Sequence, residues 1–91
     1  MCGITGIFAF NSTGKKYLDK INAATHCLIN RGPDGEGTYT HHNLALGHRR
    51  LSIIDTTHAA SQPFTDSTGR YTIVFNGEIF NYKQLRKQLE H

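Results

Sequence analysis

The sequence predicts an α+β fold in which antiparallel strands pack against helices on one side of the sheet. An apolar segment over residues 2–10 predicts a strand that begins almost at the N-terminus. Apolar residues recur at intervals of three and four positions between 17 and 30, which predicts an amphipathic helix over 15–29. A β-branched and aromatic run over 70–76 predicts the clearest strand of the chain.

Turn-forming residues separate the elements of the first half of the chain. The residues Asn, Ser, Thr and Gly over 11–14 predict a turn after the first strand. The segment 31–35 ends the helix, because Pro33 disfavours helical geometry in the residue before it. Two short strands are expected over 37–41 and 44–50, joined by a two-residue turn.

The second half of the chain begins with an apolar run over 51–54, which leads into a loop that extends to Pro63. Residues 66–69 predict the turn of a hairpin that enters the clearest strand. Two leucines four positions apart near the C-terminus predict a helix over 83–90.

Composition and charge exclude several classes of protein. Hydrophobic residues make up 37% of the 91 residues and charged residues 19%, which is typical of a globular rather than a disordered chain. No apolar run approaches the ~20 residues that cross a bilayer, so we expect no membrane partner. The 10 Lys and Arg exceed the 7 Asp and Glu but form no block, so we expect no nucleic-acid partner.

The cysteines and histidines suggest a reducing compartment and no metal. The N-terminus lacks a basic segment ahead of an apolar one, so we expect no secretion signal and a cytoplasmic location. Cys2 and Cys27 are then expected to be free thiols, with Cys27 a buried small residue on the apolar side of the helix. We expect no metal site, because the histidines lack partners at zinc-finger spacing: His41, His42, His48 and His58.

Cys2 is a candidate nucleophile because of its position. Once Met1 is removed, the thiol and a free α-amino group belong to the same residue. That amine has a pKa near ~7.7–8.0, so at neutral pH an appreciable fraction can accept the thiol proton. Alternatively, Cys2 is simply a small residue that packs near the terminus.

Two other pairs of residues are candidates for binding charge. The Asn76 side chain and the Gly77 backbone N–H could stabilise a tetrahedral oxyanion, although Asn-Gly is also typical of a type I′ turn. Arg49 and Arg50 could bind a carboxylate through a guanidinium group, or could be a solvated pair at the end of a strand. The segment 31–34 is interpreted as a tight turn that positions neighbouring strands.

Five motifs occur together in a fixed order: Met1-Cys2-Gly3-Ile4, Arg31-Gly32-Pro33-Asp34, Gly47-His48-Arg49-Arg50-Leu51-Ser52-Ile53-Ile54-Asp55, Gln62-Pro63 and Phe75-Asn76-Gly77-Glu78-Ile79-Phe80-Asn81-Tyr82. In this order and spelling the chain resembles the class II glutamine amidotransferases, and within them the N-terminal part of the glutamine-hydrolysing asparagine synthetases. The resemblance implies the N-terminal portion of an αββα N-terminal-nucleophile hydrolase domain.

The resemblance also implies a reaction and a role for each matching residue. Cys2 would attack the side-chain amide of L-glutamine, with Asn76 and Gly77 as the oxyanion hole, to give glutamate and ammonia for an activated aspartate. Arg50 would bind the α-carboxylate of glutamine, and Glu78 would lie near its α-amino group. The substrate-binding set implied in this way is Arg50, Leu51, Ser52, Ile53, Ile54, Asn76, Gly77 and Glu78.

The family's glutaminase domain is about twice the length of this chain. We therefore expect residues 1–91 to be its N-terminal portion, without the synthetase domain, and to contain no cofactor, since ATP and Mg would bind only in that domain. Part of the pocket is then missing, and with Met1 attached the α-amine lies on the wrong residue, so we expect this chain to be catalytically silent. The alternative function is a non-catalytic interaction module that forms homo-oligomers through exposed sheet edges.

Overall fold

The computed structural model describes residues 2–51 and 61–90. A short 3₁₀ segment, Leu18–Lys20, precedes the second helix. The remaining elements are, in chain order, β1 (Gly3–Phe8), α1 (Ser12–Lys15), α2 (Ile21–His26), β2 (Gly35–His41), β3 (Leu44–Arg50), β4 (Phe64–Thr65), β5 (Thr72–Ile73) and α3 (Tyr82–Leu89).

Three strands form an antiparallel sheet in the order β1-β3-β2, so that β3 is central. The hairpin between β2 and β3 turns at His42, which has a positive φ of 52°. Both strands lie where the sequence predicts them, with β2 beginning two residues earlier, at Gly35. The predicted α+β class with antiparallel sheets is therefore confirmed.

The helix α2 packs on one face of the sheet through a polar contact and a small core. The Thr25 hydroxyl donates to the Ile21 carbonyl at 2.6 Å and lies 2.9 Å from the Thr5 hydroxyl. A Cβ atom on Gly47 would overlap both of these hydroxyl groups, so only glycine allows this close approach. The buried apolar residues beside this contact are Ala9, Leu18, Ile21 and Ala45.

The predicted helix over 15–29 is wrong in its extent. Helical structure begins earlier, because Asn11 caps α1 by accepting a hydrogen bond from the Gly14 N–H at 2.7 Å, so the predicted turn over 11–14 is the start of a one-turn helix. It then ends at His26, and Cys27 is exposed rather than buried. Position 27 lies about 200° around a helix from position 25, which points it away from the sheet.

The second half of the chain contains less regular structure than expected. Of the strand predicted over 70–76, only β5 is paired, because β4 offers just two residues as its partner. The predicted hairpin turn is confirmed, since the Gly69 N–H donates to the Asp66 carbonyl at 3.0 Å and Gly69 has a φ of 71°. The predicted run over 51–54 and most of its following loop fall on residues 52–60, which lie outside the described residues.

The C-terminal helix α3 is present where a helix over 83–90 is predicted, but it carries no buried residue. Leu89 is 86% exposed, so the expectation that helices pack on one side of the sheet holds for α2 and not for α3. None of the helices in the described ranges is long and apolar enough to cross a membrane.

Candidate functional site

The Cys2 thiol lies at the end of the sheet, on the face opposite α2. Gly3 pairs with Arg49, so continuing the register by one residue sets Cys2 opposite Arg50. The Leu51 N–H donates to the Cys2 Sγ at 3.4 Å, and the thiol lies 3.9 Å from the Leu51 carbonyl oxygen. Cys2, the candidate nucleophile, therefore contacts the backbone of Leu51, the first residue of the set 51–54 that is predicted to bind substrate.

The segment 31–34 holds this end of the sheet together. The Arg31 Nε donates to the Cys2 carbonyl at 3.2 Å, and the Asp34 N–H donates to the Arg50 carbonyl at 2.9 Å. Gly32 lies directly against the end of β3, where a Cβ atom would overlap the backbone of residues 49 and 50. This geometry agrees with the interpretation of 31–34 as a positioning turn, and it adds a direct contact to Cys2 that the sequence did not indicate.

The two adjacent arginines serve opposite faces of the sheet. Arg49, on the α2 side, donates to the Gly32 carbonyl at 2.7 Å and to the Glu36 carboxylate at 3.2 Å. Arg50 lies on the Cys2 side, with its Nη1 3.5 Å from the Ser61 hydroxyl. Their exposed fractions are 7% and 9%, so the alternative of a solvated pair is wrong.

His48 shares the sheet face of Arg50 and is only 1% exposed. Burial lowers the pKa of its imidazole; a hydrogen bond to the Phe75 backbone acts in the opposite direction, and the Arg50 charge lowers the pKa further. Its Nε2 atom is buried and has no hydrogen-bond partner within the described part of the chain. From the sequence, His48 was considered only as a metal ligand and rejected, so its burial in the sheet and its interaction with Phe75 were not predicted.

Residues 76–78 follow directly after Phe75. Asn76 is half-buried, whereas Gly77 and Glu78 are exposed. Among the described residues only His42 and Gly69 have positive φ, and a type I′ turn needs it at both central positions, so that alternative for Asn76-Gly77 is wrong. The Phe75 ring lies where a side chain on Gly77 would be, 2.9 Å from the position of a Cβ atom.

The structure thus brings some of the predicted site residues together and leaves others apart. Cys2, Arg50 and Leu51 meet at the end of β3, whereas no hydrogen bond within the described ranges joins residues 76–78 to the Cys2 thiol. No group of three or more His, Cys, Asp or Glu in these ranges is arranged to hold a metal ion. The predicted site residues Ser52, Ile53 and Ile54, and also His58, lie outside the described residues.

Comparison with known proteins identifies what this arrangement is similar to. The family model of the glutamine amidotransferase domain matches residues 1–91, the whole chain. The glutamine-hydrolyzing asparagine synthetase 1 of Bacillus subtilis is 37% identical over 95 residues, which cover 99% of this chain and 14% of that protein. Asparagine synthetase B of Escherichia coli, also glutamine-hydrolyzing, is 34% identical over 97% of this chain and 16% of its own length.

A relative with a different name shows that the similarity is not confined to asparagine synthetases. The amidase chry2 of Gibberella zeae is 33% identical over 100 residues, which cover 98% of this chain and 15% of the amidase. The chain thus spans 14–16% of the length of these three relatives.

Proposed function

We propose, since the chain belongs to the glutamine amidotransferase domain family, that its site hydrolyses the side-chain amide of L-glutamine with Cys2 as the nucleophile. The Cys2 sulfur forms a bond to the amide carbon, the carbon–nitrogen bond breaks, and the thiol proton leaves with the nitrogen as ammonia. Water then cleaves the thioester, which releases glutamate and restores the thiol. The α-amine that carries the proton becomes available at Cys2 only when Met1 has been removed.

The observation that carries this proposal is the position of the Cys2 thiol relative to Arg50. Cys2 and Arg50 each directly follow the register pair Gly3–Arg49 and so lie on one sheet face, and the Leu51 N–H donates to the thiol at 3.4 Å. Glutamine carries its carboxylate and its side-chain amide at opposite ends, so it needs a cation and a nucleophile on the same surface. A guanidinium group binds a carboxylate through paired hydrogen bonds, which is the role proposed for Arg50.

The remaining roles extend this surface. Asn76 and Gly77 would donate to the oxyanion, and Glu78 would lie near the α-amino group of the substrate. The backbone over 51–54 would line the pocket, which agrees with the contact between Cys2 and Leu51. Within this proposal the chain works in the cytoplasm, where the thiol stays reduced.

The fold is proposed to be one half of an αββα N-terminal-nucleophile domain. The helix α2 covers one face of the three-stranded sheet, which supplies one helical and one sheet layer. The other face carries exposed apolar residues, among them Ile4 at 48% and Phe8 at 57%, where a second sheet would pack. In the longer protein, a synthetase domain would use ATP and Mg to activate aspartate for attack by the ammonia.

A second candidate function rests on the same exposed surface. Both edge strands of the sheet, β1 and β2, are unpaired on their outer sides within the described ranges, beside exposed apolar side chains. Such edges allow strand addition, so the chain could be a non-catalytic module that self-associates.

Intact mass spectrometry tests the two functions against each other. A Cys27→Ser background removes the second, exposed thiol, and a diazoketone analogue of glutamine serves as the electrophile. We expect one adduct on a chain that starts at Cys2, none on the chain that retains Met1, and none after Cys2→Ala. If iodoacetamide labels Cys2 but the diazoketone does not, the glutaminase proposal fails, and size-exclusion chromatography then tests for the self-associating module.

A further inference from the structure

Phe75, the residue before the proposed oxyanion pair, is held through its backbone N–H by the side chain of Gln62. The Gln62 Oε1 atom accepts a hydrogen bond from the Phe75 N–H at 2.6 Å. The Phe75 backbone also acts on the buried imidazole of His48, whose pKa it raises against the larger lowering by burial. The Gln62 contact is made to the main chain, so it fixes the path of the chain rather than the position of the aromatic ring.

Gln62 and His48 both lie against one position of the sheet. Gly37 of β2 pairs with His48 of β3. A Cβ atom on Gly37 would overlap the Gln62 carbonyl oxygen and lie 3.1 Å from the Pro63 Cδ, so the segment at Gln62 rests directly on this position. The backbone of Phe75 is therefore tied to the centre of the same sheet that carries Cys2 and Arg50.

This tie matters because few other hydrogen bonds within the described residues hold the segment that follows β5. The strand pairing ends at Ile73, and the next backbone hydrogen bond along the described chain joins the Tyr82 N–H to the Ile79 carbonyl. Oxyanion donors act only when they are held at hydrogen-bond distance from the reacting oxygen, so small displacements have large effects on rate.

From these contacts we propose that Gln62 is a positioning residue for the oxyanion hole. The backbone of Gln62 rests on Gly37, and its side-chain amide holds Phe75 so that the Asn76 side chain and the Gly77 N–H are directed at the substrate oxyanion. The inference rests on the proposed function, because an oxyanion hole is needed only if the site hydrolyses glutamine. Gln62 itself takes no part in the chemistry. No hydrogen bond within the described residues joins Gln62 to Cys2, and Gln62 acts through the main chain of Phe75.

Amide hydrogen exchange tests the contact without any need for activity. In the Cys27→Ser chain that starts at Cys2, Gln62→Ala is expected to speed exchange of the Phe75 amide about 10-fold, relative to the amide of Leu46 in β3. Gln62→Glu keeps an acceptor oxygen and is expected to restore slow exchange. Gln88→Ala, the same change at an exposed position of α3, is the matched control and should leave this rate unchanged.

Two electrophiles then distinguish a positioning role of Gln62 from a general effect of the substitution on the structure. The diazoketone alkylates the thiol at its diazo carbon, which takes up the thiol proton and loses N2, while its ketone oxygen occupies the place of the substrate carbonyl in the oxyanion hole. Iodoacetamide reacts by direct displacement of iodide and needs no oxyanion hole. Gln62→Ala is expected to lower the maximal rate of diazoketone labelling about 10-fold, with the half-saturating concentration and the iodoacetamide rate unchanged, and Gln62→Glu to restore it.

The possible failures are distinguishable. Phe75 amide exchange at the free-peptide rate in the parent chain, or unchanged diazoketone labelling in Gln62→Ala, would overturn the role of Gln62 while leaving the glutaminase intact. A fall in labelling by both electrophiles would show a general structural effect and would also overturn it. No diazoketone labelling of the parent chain, despite labelling by iodoacetamide, would overturn the proposed function, and the role of Gln62 with it.

Discussion

Residues 2–51 and residues 61–90 differ sharply in what holds them. Every buried residue among those described lies in the first region, whereas the second contains none. In the first region Cys2 and Arg50 are attached to a sheet that packs on α2, and the turn at 31–34 links them by side-chain and backbone hydrogen bonds. The second region carries the proposed oxyanion donors but has no core of its own.

This contrast indicates that the two regions contribute differently to the proposed site. The proposed nucleophile and the proposed carboxylate-binding cation are attached to the core of the first region, where α2 packs on the sheet of β1 and β3. The proposed oxyanion segment follows Phe75, which the Gln62 side chain ties to the sheet. Substitutions in the first region should therefore affect the free energy of unfolding, and substitutions in the second should affect chemistry while leaving that energy nearly unchanged.

The largest expected effect comes from Asn76→Ala in the second region. Loss of one oxyanion donor should lower the maximal rate of diazoketone labelling at Cys2 about 10²- to 10³-fold. Because Asn76 is only half-buried and its amide is proposed to serve the reaction, the free energy of unfolding should change by less than about 0.5 kcal/mol. Asn30→Ala, at an exposed position, is the control; equal labelling rates for the two variants would remove Asn76 from the site.

The next effect should appear in the first region, at Gly47. A Cβ atom there would overlap the hydroxyl groups of Thr5 and Thr25, so Gly47→Ala should lower the free energy of unfolding by about 1–3 kcal/mol. Urea denaturation followed by circular dichroism measures this change. Gly6→Ala on the neighbouring strand meets atoms only at 3.6 Å and beyond, and should be tolerated. Similar losses for the two variants would contradict the tight contact between α2 and the sheet.

The same contrast explains how much of the molecule could be predicted from the sequence. The hairpin of β2 and β3 was predicted because its signals are local, and a period of two along β3 sends Arg49 and Arg50 to opposite faces. The strand over 70–76 was predicted too long, since its length depends on a partner that only two residues supply. The contacts of Arg31 with Cys2 and of Gln62 with Phe75 join residues 29 and 13 positions apart, for which no local pattern exists.

The smallest effect concerns His48, which links the two regions. Burial lowers the pKa of its imidazole in the folded chain, so below about pH 6.5 the unfolded chain binds more protons than the folded one. The contribution of the neutral His48 imidazole to the free energy of unfolding is therefore fully present above that pH. It declines as the pH falls from about 6.5 towards the lower folded-state pKa. Urea denaturation at pH 7.5 and pH 5.5 should show this decline in the parent chain and less of it in His48→Gln.

The control for this measurement is His41→Gln, which changes an exposed histidine on β2 and should keep the full decline. The pH range avoids the titration of Asp66. The pKa of that carboxyl is lowered by the Thr68 hydroxyl and then by backbone N–H groups, so its contribution to the free energy of unfolding is lost only at more acidic pH. An equal decline in the parent chain and in His48→Gln would mean that the imidazole between β3 and Phe75 is not held neutral by burial. Among the described residues, the link between the core and the proposed oxyanion segment would then rest on Gln62.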